Sequence, residues 1–347
     1  MKITHSIFGS IALTLVGLAI ASAQDKPDTA SQRIEESKFV QLGGIEQWIT
    51  IRGERGNPVL LFLHGGPAEA QSSLVATYAK WEKDFVVVQW DQRGAGKTFG
   101  RNGKTTPDMT LSRMTDDTIE LAEYLRTYLH ANKIVLLGHS WGSYLGMHAI
   151  KKRPELFAAF VGTGQVESWQ RTVAIQYEYT LSRARAANNT EVVAELTTLG
   201  PPPFKDLQQY MVMRRRLGPY LAPSDATWPA KQYAAFGQAL AAQDLQDMQA
   251  AGQFSLAALA PVVFAMDLPA MGNRFEVPII VIQGADDYIT PTPAAKEYLA
   301  SIEAPAKQFV LIEGAGHFAA MTHTQEFTDA LVNYVKPFAS PAKSTKK

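Results

Sequence analysis

Residues 133–146 read KIVLLGHSWGSYLG. An apolar run at 134–137 stops at Gly138. His139, Ser140, Trp141 and Gly142 complete the spacing G-x-S-x-G, and a helix-like stretch follows. A serine between two glycines on a strand-to-helix turn is a nucleophile elbow. The turn leaves no room for side chains on its flanks, and the hydroxyl stands clear of the backbone. The alternative is an ordinary capping serine on a small-residue turn. A hydroxyl is a weak nucleophile at neutral pH, so acyl chemistry at Ser140 also needs a base, an acid to orient it and donors for an oxyanion. The order that accompanies such an elbow is serine, acid, histidine, each expected just past a strand.

The base expected from this order is His317, in EGAGHF at 313–318, a glycine-flanked loop after the last apolar run. Of the other histidines, His5 lies in the N-terminal segment, His130 and His148 fall on predicted helices, and His64 and His139 belong to loops flanking the nucleophile. His323 is the remaining competitor, at the start of the last helix. The acid is expected in GADDYITP at 284–291. Asp287 is preferred, with Asp286 suited to holding the turn; Glu167, after the preceding strand, is a less usual alternative. The oxyanion donors are expected to be the backbone N–H of Trp141 and of Gly66, in HGGP at 64–67, where glycine lets the chain approach a carbonyl. An X–Pro bond in so tight a turn makes Gly66–Pro67 a candidate cis peptide. A phosphate-cradling loop is disfavoured, because Gly96-Lys97-Thr98 lacks the upstream glycine that a P-loop requires. None of this chemistry calls for a metal or an organic cofactor.

The elements that must position these groups alternate. Strand-like runs fall at 39–42, 45–51, 59–63, 85–90, 134–137, 157–161, 277–282 and 309–312. Helical spacing falls at 74–81, 114–129, from 141 through Ile150, at 294–302 and at 327–335. Continuous apolar strands alternating with helices predict a mostly parallel sheet covered on both faces. Residues 165–272 contain no clear buried strand, are rich in Ala, Gln, Tyr and Arg, and carry Pro201-Pro202-Pro203 as a break. They read as an inserted helical cap dividing the core into 39–164 and 273–340. Within the cap Met211, Met213, Tyr177, Tyr179, Phe264 and Met266 are candidates to line an apolar pocket.

The chain has 347 residues, 46% of them hydrophobic and 19% charged, which suits a large globular core. Thirty-three basic residues balance 33 acidic ones, so no electrostatic case exists for nucleic acid or an anionic membrane. Lys2, a mostly apolar stretch at 7–20 and Ala21-Ser22-Ala23 have the form of a signal peptide over 1–23, shorter than the ~20 apolar residues of a membrane span. The expectation is an exported, periplasmic or secreted product starting at Gln24, with a flexible leader at 24–38, a basic tail at 341–347 and no lasting membrane association. There is no cysteine, which excludes disulfides, thiolate metal sites and a cysteine nucleophile.

Together, HGGP at 64–67, DQRGAGKT at 91–98, GHSWGS at 138–143, GADD at 284–287 and GAGH at 314–317 resemble the proline iminopeptidase-like branch of the α/β-hydrolase superfamily. The resemblance covers roughly 39–164 and 273–338. It implies an α/β-hydrolase fold with an eight-stranded, mostly parallel sheet, and a serine enzyme that releases an N-terminal residue, preferably proline, from a small peptide. It further implies carboxylates from the cap around the substrate's free amine, for which Glu167 and Glu178 are the candidates, and an Arg93 that ties loops beneath the site. The sequence departs from the branch in reading HGGPA where HGGPG is typical. A carboxylic-ester hydrolase on the same frame is the alternative, and a ligand-binding protein that kept the fold without turnover a remoter one.

Overall fold

The computed structural model describes residues 33–339; the expected signal peptide, most of the leader and the tail lie outside the described residues. Eight strands form one sheet: β1 (Arg33–Leu42), β2 (Ile45–Glu54), β3 (Val59–Leu63), β4 (Val86–Trp90), β5 (Ile134–His139), β6 (Phe157–Thr163), β7 (Ile279–Gly284) and β8 (Lys307–Ile312). Their order is β1-β2-β4-β3-β5-β6-β7-β8. β2 runs antiparallel to β1 and β4, and the pairs from β4–β3 to β7–β8 are parallel.

The alternation of side chains along a strand explains why the central runs are apolar throughout. Leu61, Leu63, Leu136 and Val281 enter one core, while Leu60, Phe62, Leu137 and Ile282 enter the core on the opposite face. From β3 onward the predicted strand boundaries agree within two residues. β1 corrects the expected leader: it starts at Arg33, and residues 33–38 pair with β2. Its polar residues hid it, because an edge strand facing water on one side needs only alternate anchors such as Ile34 and Val40.

The longer helices are α1 (Gly96–Asn102), α2 (Leu111–Tyr128), α3 (Trp141–Lys152), α4 (Trp169–Ala186), α5 (Thr190–Leu199), α6 (Leu207–Leu217), α7 (Pro223–Ala239), α8 (Ala242–Phe264), α9 (Thr292–Ser301) and α10 (Thr324–Tyr334). α4 to α8 make the cap. Side chains of Ser168, Asn189 and Asp206 cap its first three helices. The predicted helix at 74–81 is instead a four-residue helix, Val75–Tyr78, and a tighter turn, Ala79–Lys83. A three-residue repeat lets Tyr78 and Trp81 share one side and pack on Phe62, with ring centroids 5.3 and 6.2 Å away. His130 lies just beyond α2 with a positive φ, outside the helix expected to carry it.

Candidate active site

Ser140 sits between β5 and α3 with φ 53° and ψ −118°, a conformation an L-residue holds only when its surroundings impose it. Neighbouring contacts supply the constraint. A Cβ at Gly138 would lie 2.3 Å from the Gly142 carbonyl oxygen, and one at Gly142 would lie 2.1 Å from that of Leu63. The Ser140 N–H donates to the Thr163 carbonyl at 3.0 Å. Ser143 Oγ donates to the Ser140 carbonyl at 2.7 Å and accepts the Val166 N–H at 3.0 Å. The elbow is thereby tied to the chain leaving β6.

His317, after β8, and Asp287, after β7, meet at 3.0 Å between Nδ1 and Oδ2. Both are buried. Asp287 Oδ1 accepts the N–H groups of Ile289 and Thr290 at 2.9 Å each, and Oδ2 accepts the Thr290 hydroxyl at 2.8 Å. Thr290 Oγ1 also lies 3.0 Å from His317 Nδ1. Asp286 is exposed, its N–H spent on the Ala315 carbonyl. Burial pushes the His317 imidazole down, and the Asp287, Asp225 and Glu69 carboxylates outweigh it, so its pKa lies above the ordinary value. His317 stands beside the residue that precedes the nucleophile. Its ring centroid is 4.7 Å from that of His139, whose Nε2 is 3.2 Å from the His317 carbonyl oxygen. The Ser140 hydroxyl makes no hydrogen bond to the ring, so the last link is open, as is common in unliganded sites.

The expected oxyanion donors lie around the same turn. A Cβ at Gly65 would sit 3.2 Å from Ser140 Cβ, so the 64–67 loop abuts Ser140. Gly66–Pro67 is cis. Neither the Gly66 nor the Trp141 N–H donates to an acceptor among the described residues. Two free N–H groups beside a serine can donate to a developing oxyanion.

A family model described as the alpha/beta hydrolase fold matches residues 58–324. The chain belongs to the α/β-hydrolase fold family. Among curated relatives of this hydrolase, a probable aminopeptidase from Bacillus subtilis, YbaC, is 28% identical over 86% of this chain and 96% of its own. A proline iminopeptidase from Lactobacillus helveticus is 24% identical over 84% and 95%. Among solved structures, a proline iminopeptidase-related protein from Thermus thermophilus shares the fold, with a TM-score of 0.66 at 20% identity over 89% of this chain and 99% of that one.

Several further side chains support the hydrolase site, and only some of them had a part assigned from sequence. Gln92 Nε2 donates to the His64 carbonyl at 3.1 Å, while its Oε1 accepts the Trp141 indole N–H at 3.0 Å. It joins the loop of one expected oxyanion donor to the side chain of the other. His64 and His139 are buried and held neutral, His64 with a pKa lowered to about 4 by burial. Arg93 matches its expected part. Fully buried, it binds Asp117 at 2.7 Å through Nε and donates to the carbonyls of Gly43 and Pro107 at 2.8 and 3.0 Å. Gln283 accepts the Gln165 N–H at 2.8 Å and donates to the Thr290 carbonyl at 2.8 Å, linking the end of β6 to the acid loop.

The cap candidates lie elsewhere. Glu167 accepts the Ser168 hydroxyl at 2.7 Å and acts on Tyr298, and Glu178 is exposed beside Tyr177. Neither ranks among the carboxylates that act on His317. Glu69, two residues past the cis proline, does. Its side chain is exposed, and the protein packed around it raises its pKa. Its carboxylate makes no hydrogen bond or ion pair among the described residues. Of the six expected pocket residues, Phe264 lines a cap cavity of about 540 Å³, with Trp169, Val173, Phe204 and Tyr210 among its walls, and Tyr179 lines a second of about 510 Å³ with Glu178 and Tyr288. Met213 and Tyr177 fill the cap's own core, Tyr179 stacks on Tyr288, Met211 is exposed and Met266 joins the main core.

Proposed function

We propose that this hydrolase is an exported serine aminopeptidase of the proline iminopeptidase type. Ser140 Oγ attacks the carbonyl carbon of the N-terminal residue as His317 Nε2 takes its proton. Asp287 holds Nδ1–H and stabilises the imidazolium. The N–H groups of Trp141 and Gly66 receive the oxyanion. Collapse breaks the peptide bond, His317 protonates the departing amine, and water, activated by the same imidazole, releases the acyl group. The supporting observation is the buried Asp287–His317 pair beside an elbow serine whose two nearby N–H groups are unspent.

The free-amine preference rests on Glu69 together with the peptidase names of the relatives. Glu69, an exposed carboxylate with no hydrogen bond or ion pair among the described residues that acts on the His317 ring, is suited to a substrate ammonium, beside the cap carboxylates Glu167 and Glu178. Export rests on the pattern at 1–23. The apolar, aromatic cap cavity favours the second reading, a carboxylic-ester hydrolase.

Hydrolysis of proline-arylamide, its N-acetyl derivative and a short nitrophenyl ester separates the two. The peptidase reading expects the free-amine arylamide to be cleaved and the blocked one to be refused. Cleavage of the ester alone overturns it. Glu69→Gln should raise KM for the free-amine substrate about tenfold or more, the scale of a lost charged hydrogen bond, and leave the ester unaffected. Ser140→Ala should remove turnover by on the order of 10⁴-fold or more and abolish fluorophosphonate labelling. Turnover within about tenfold of wild type would remove Ser140 as the nucleophile.

A further inference from the structure

Three consecutive amides of the loop that carries His317 are bound by two residues of the cap. The Gly316 N–H donates to Ser224 Oγ at 3.3 Å, the His317 N–H to Asp225 Oδ2 at 2.8 Å and the Phe318 N–H to Asp225 Oδ1 at 3.3 Å. Ser224 and Asp225 stand in the first turn of α7, and Asp225 is only 3% exposed. The fit leaves no space at the loop: a Cβ on Gly316 would meet Asp225 Oδ2 at 2.1 Å. One helical turn on, Trp228 lies 6.2 Å, ring to ring, from Phe318 and packs in the same core as Ala315 and Ala319. Glycines at 314 and 316, the first with φ +71°, give the loop little stiffness of its own.

We infer that Ser224 and Asp225 are positioning residues that latch the histidine loop to the cap, so that the imidazole takes its working place only while α7 is seated. This rests on the reading of His317 as the base. When α7 lifts, three amides lose their acceptors together, and a buried amide without an acceptor is costly. The loop and α7 therefore move as one unit, and displacement of α7 displaces the base. The groups that face the Asp225 carboxylate are the His317 and Phe318 amides and, electrostatically, the His317 ring and Asp287. Because Asp225 adds negative charge near the ring, its removal also weakens the imidazole as a base.

The test uses the full chain with Asp225→Asn, Asp225→Ala, Gly316→Ala and the Asp225→Ala/Gly316→Ala double variant. Asp225→Asn should lower kcat about ten- to hundredfold, the range expected when a catalytic group is displaced by about an ångström, with KM little changed. Its acid limb in kcat/KM should shift to lower pH, and amide exchange at 316–318 should accelerate. Gly316→Ala should reproduce the kcat loss alone and add little once Asp225 is already alanine. Unchanged exchange at 316–318 in Asp225→Asn, an unmoved acid limb, or full additivity in the double variant would overturn the latch. Where Asp225→Ala does not fold, Asp225→Asn and Gly316→Ala still decide it. Failure of wild-type Ser140 to take a fluorophosphonate label would instead overturn the serine-hydrolase reading and leave the exchange result standing.

Discussion

Asp287 Oδ2 serves two donors, His317 Nδ1 and the Thr290 hydroxyl, and the imidazole's response to pH follows from that setting. The ring's pKa is raised above 6.5, and in the proposed role as base only the neutral ring can take a proton from Ser140. Activity should therefore fall, as pH drops, through a midpoint above the ordinary histidine value, measured as the acid limb of kcat/KM. The stability term has the opposite sense. A raised histidine pKa adds stability that is complete below 6.5 and fades as pH rises through the raised value, so this residue is held most firmly when inactive. At this scale the sequence was most informative where a residue's role is written in its own neighbours. Ser140 lies in G-x-S-x-G and His317 in a glycine-flanked loop, and the preference for Asp287 over Asp286 matches the hydrogen bonding. Asp225 was invisible, because it acts on a segment distant in sequence and sits in no pattern; Gln92, inside DQRGAGKT, and Glu69, just after HGGPA, lie in or beside motifs that do not say which distant segment each side chain reaches. The cap carboxylates show the converse, since a favourable residue type at 167 or 178 says nothing of where the helix turns it.

The elbow depends on three elements approaching without side chains between them. Gly142, at the start of α3, faces the Leu63 and His64 carbonyls, the second with 2.8 Å to a built Cβ. Backbone cannot yield there cheaply, and the strand that would move carries the 64–67 loop. Gly142→Ala should destabilise the fold by about 1–3 kcal/mol, the usual cost of overpacking, and lower kcat more than it raises KM. Thermal unfolding and steady-state kinetics together check this; a variant with wild-type Tm and kcat would show that the contact is slack. Elements with strong periodicity were legible, including the central strands and the helical nature of the cap. The first half of β1 and the broken helix before β4 were not. In both, tertiary pairing overrides local composition: alternate anchors suffice at a sheet edge, and aromatic packing tightens the turn around Trp81.

Across the whole molecule, buried titratable groups around the site set acid stability. His64, with a pKa lowered to about 4, contributes stability that is present above 6.5 and lost as pH falls toward 4, about 3 kcal/mol. His139 acts in the same direction. Asp91 opposes them: burial raises its carboxyl to about 6, so it favours the folded state below 3.8 and loses that contribution as pH rises through 6. Asp91→Asn should therefore be more stable than wild type at pH 7 and lose stability more steeply between pH 6.5 and 4, by about 3 kcal/mol. Urea unfolding at several pH values measures both slopes, and parallel slopes would remove Asp91 as the compensating group.

His139 and His317 touch across 178 residues of chain. With His317 as the base proposed for Ser140, a chain ending between residues 140 and 317 keeps the serine and lacks its partner, so a growing polypeptide stays inert until that late segment has emerged and found its strand.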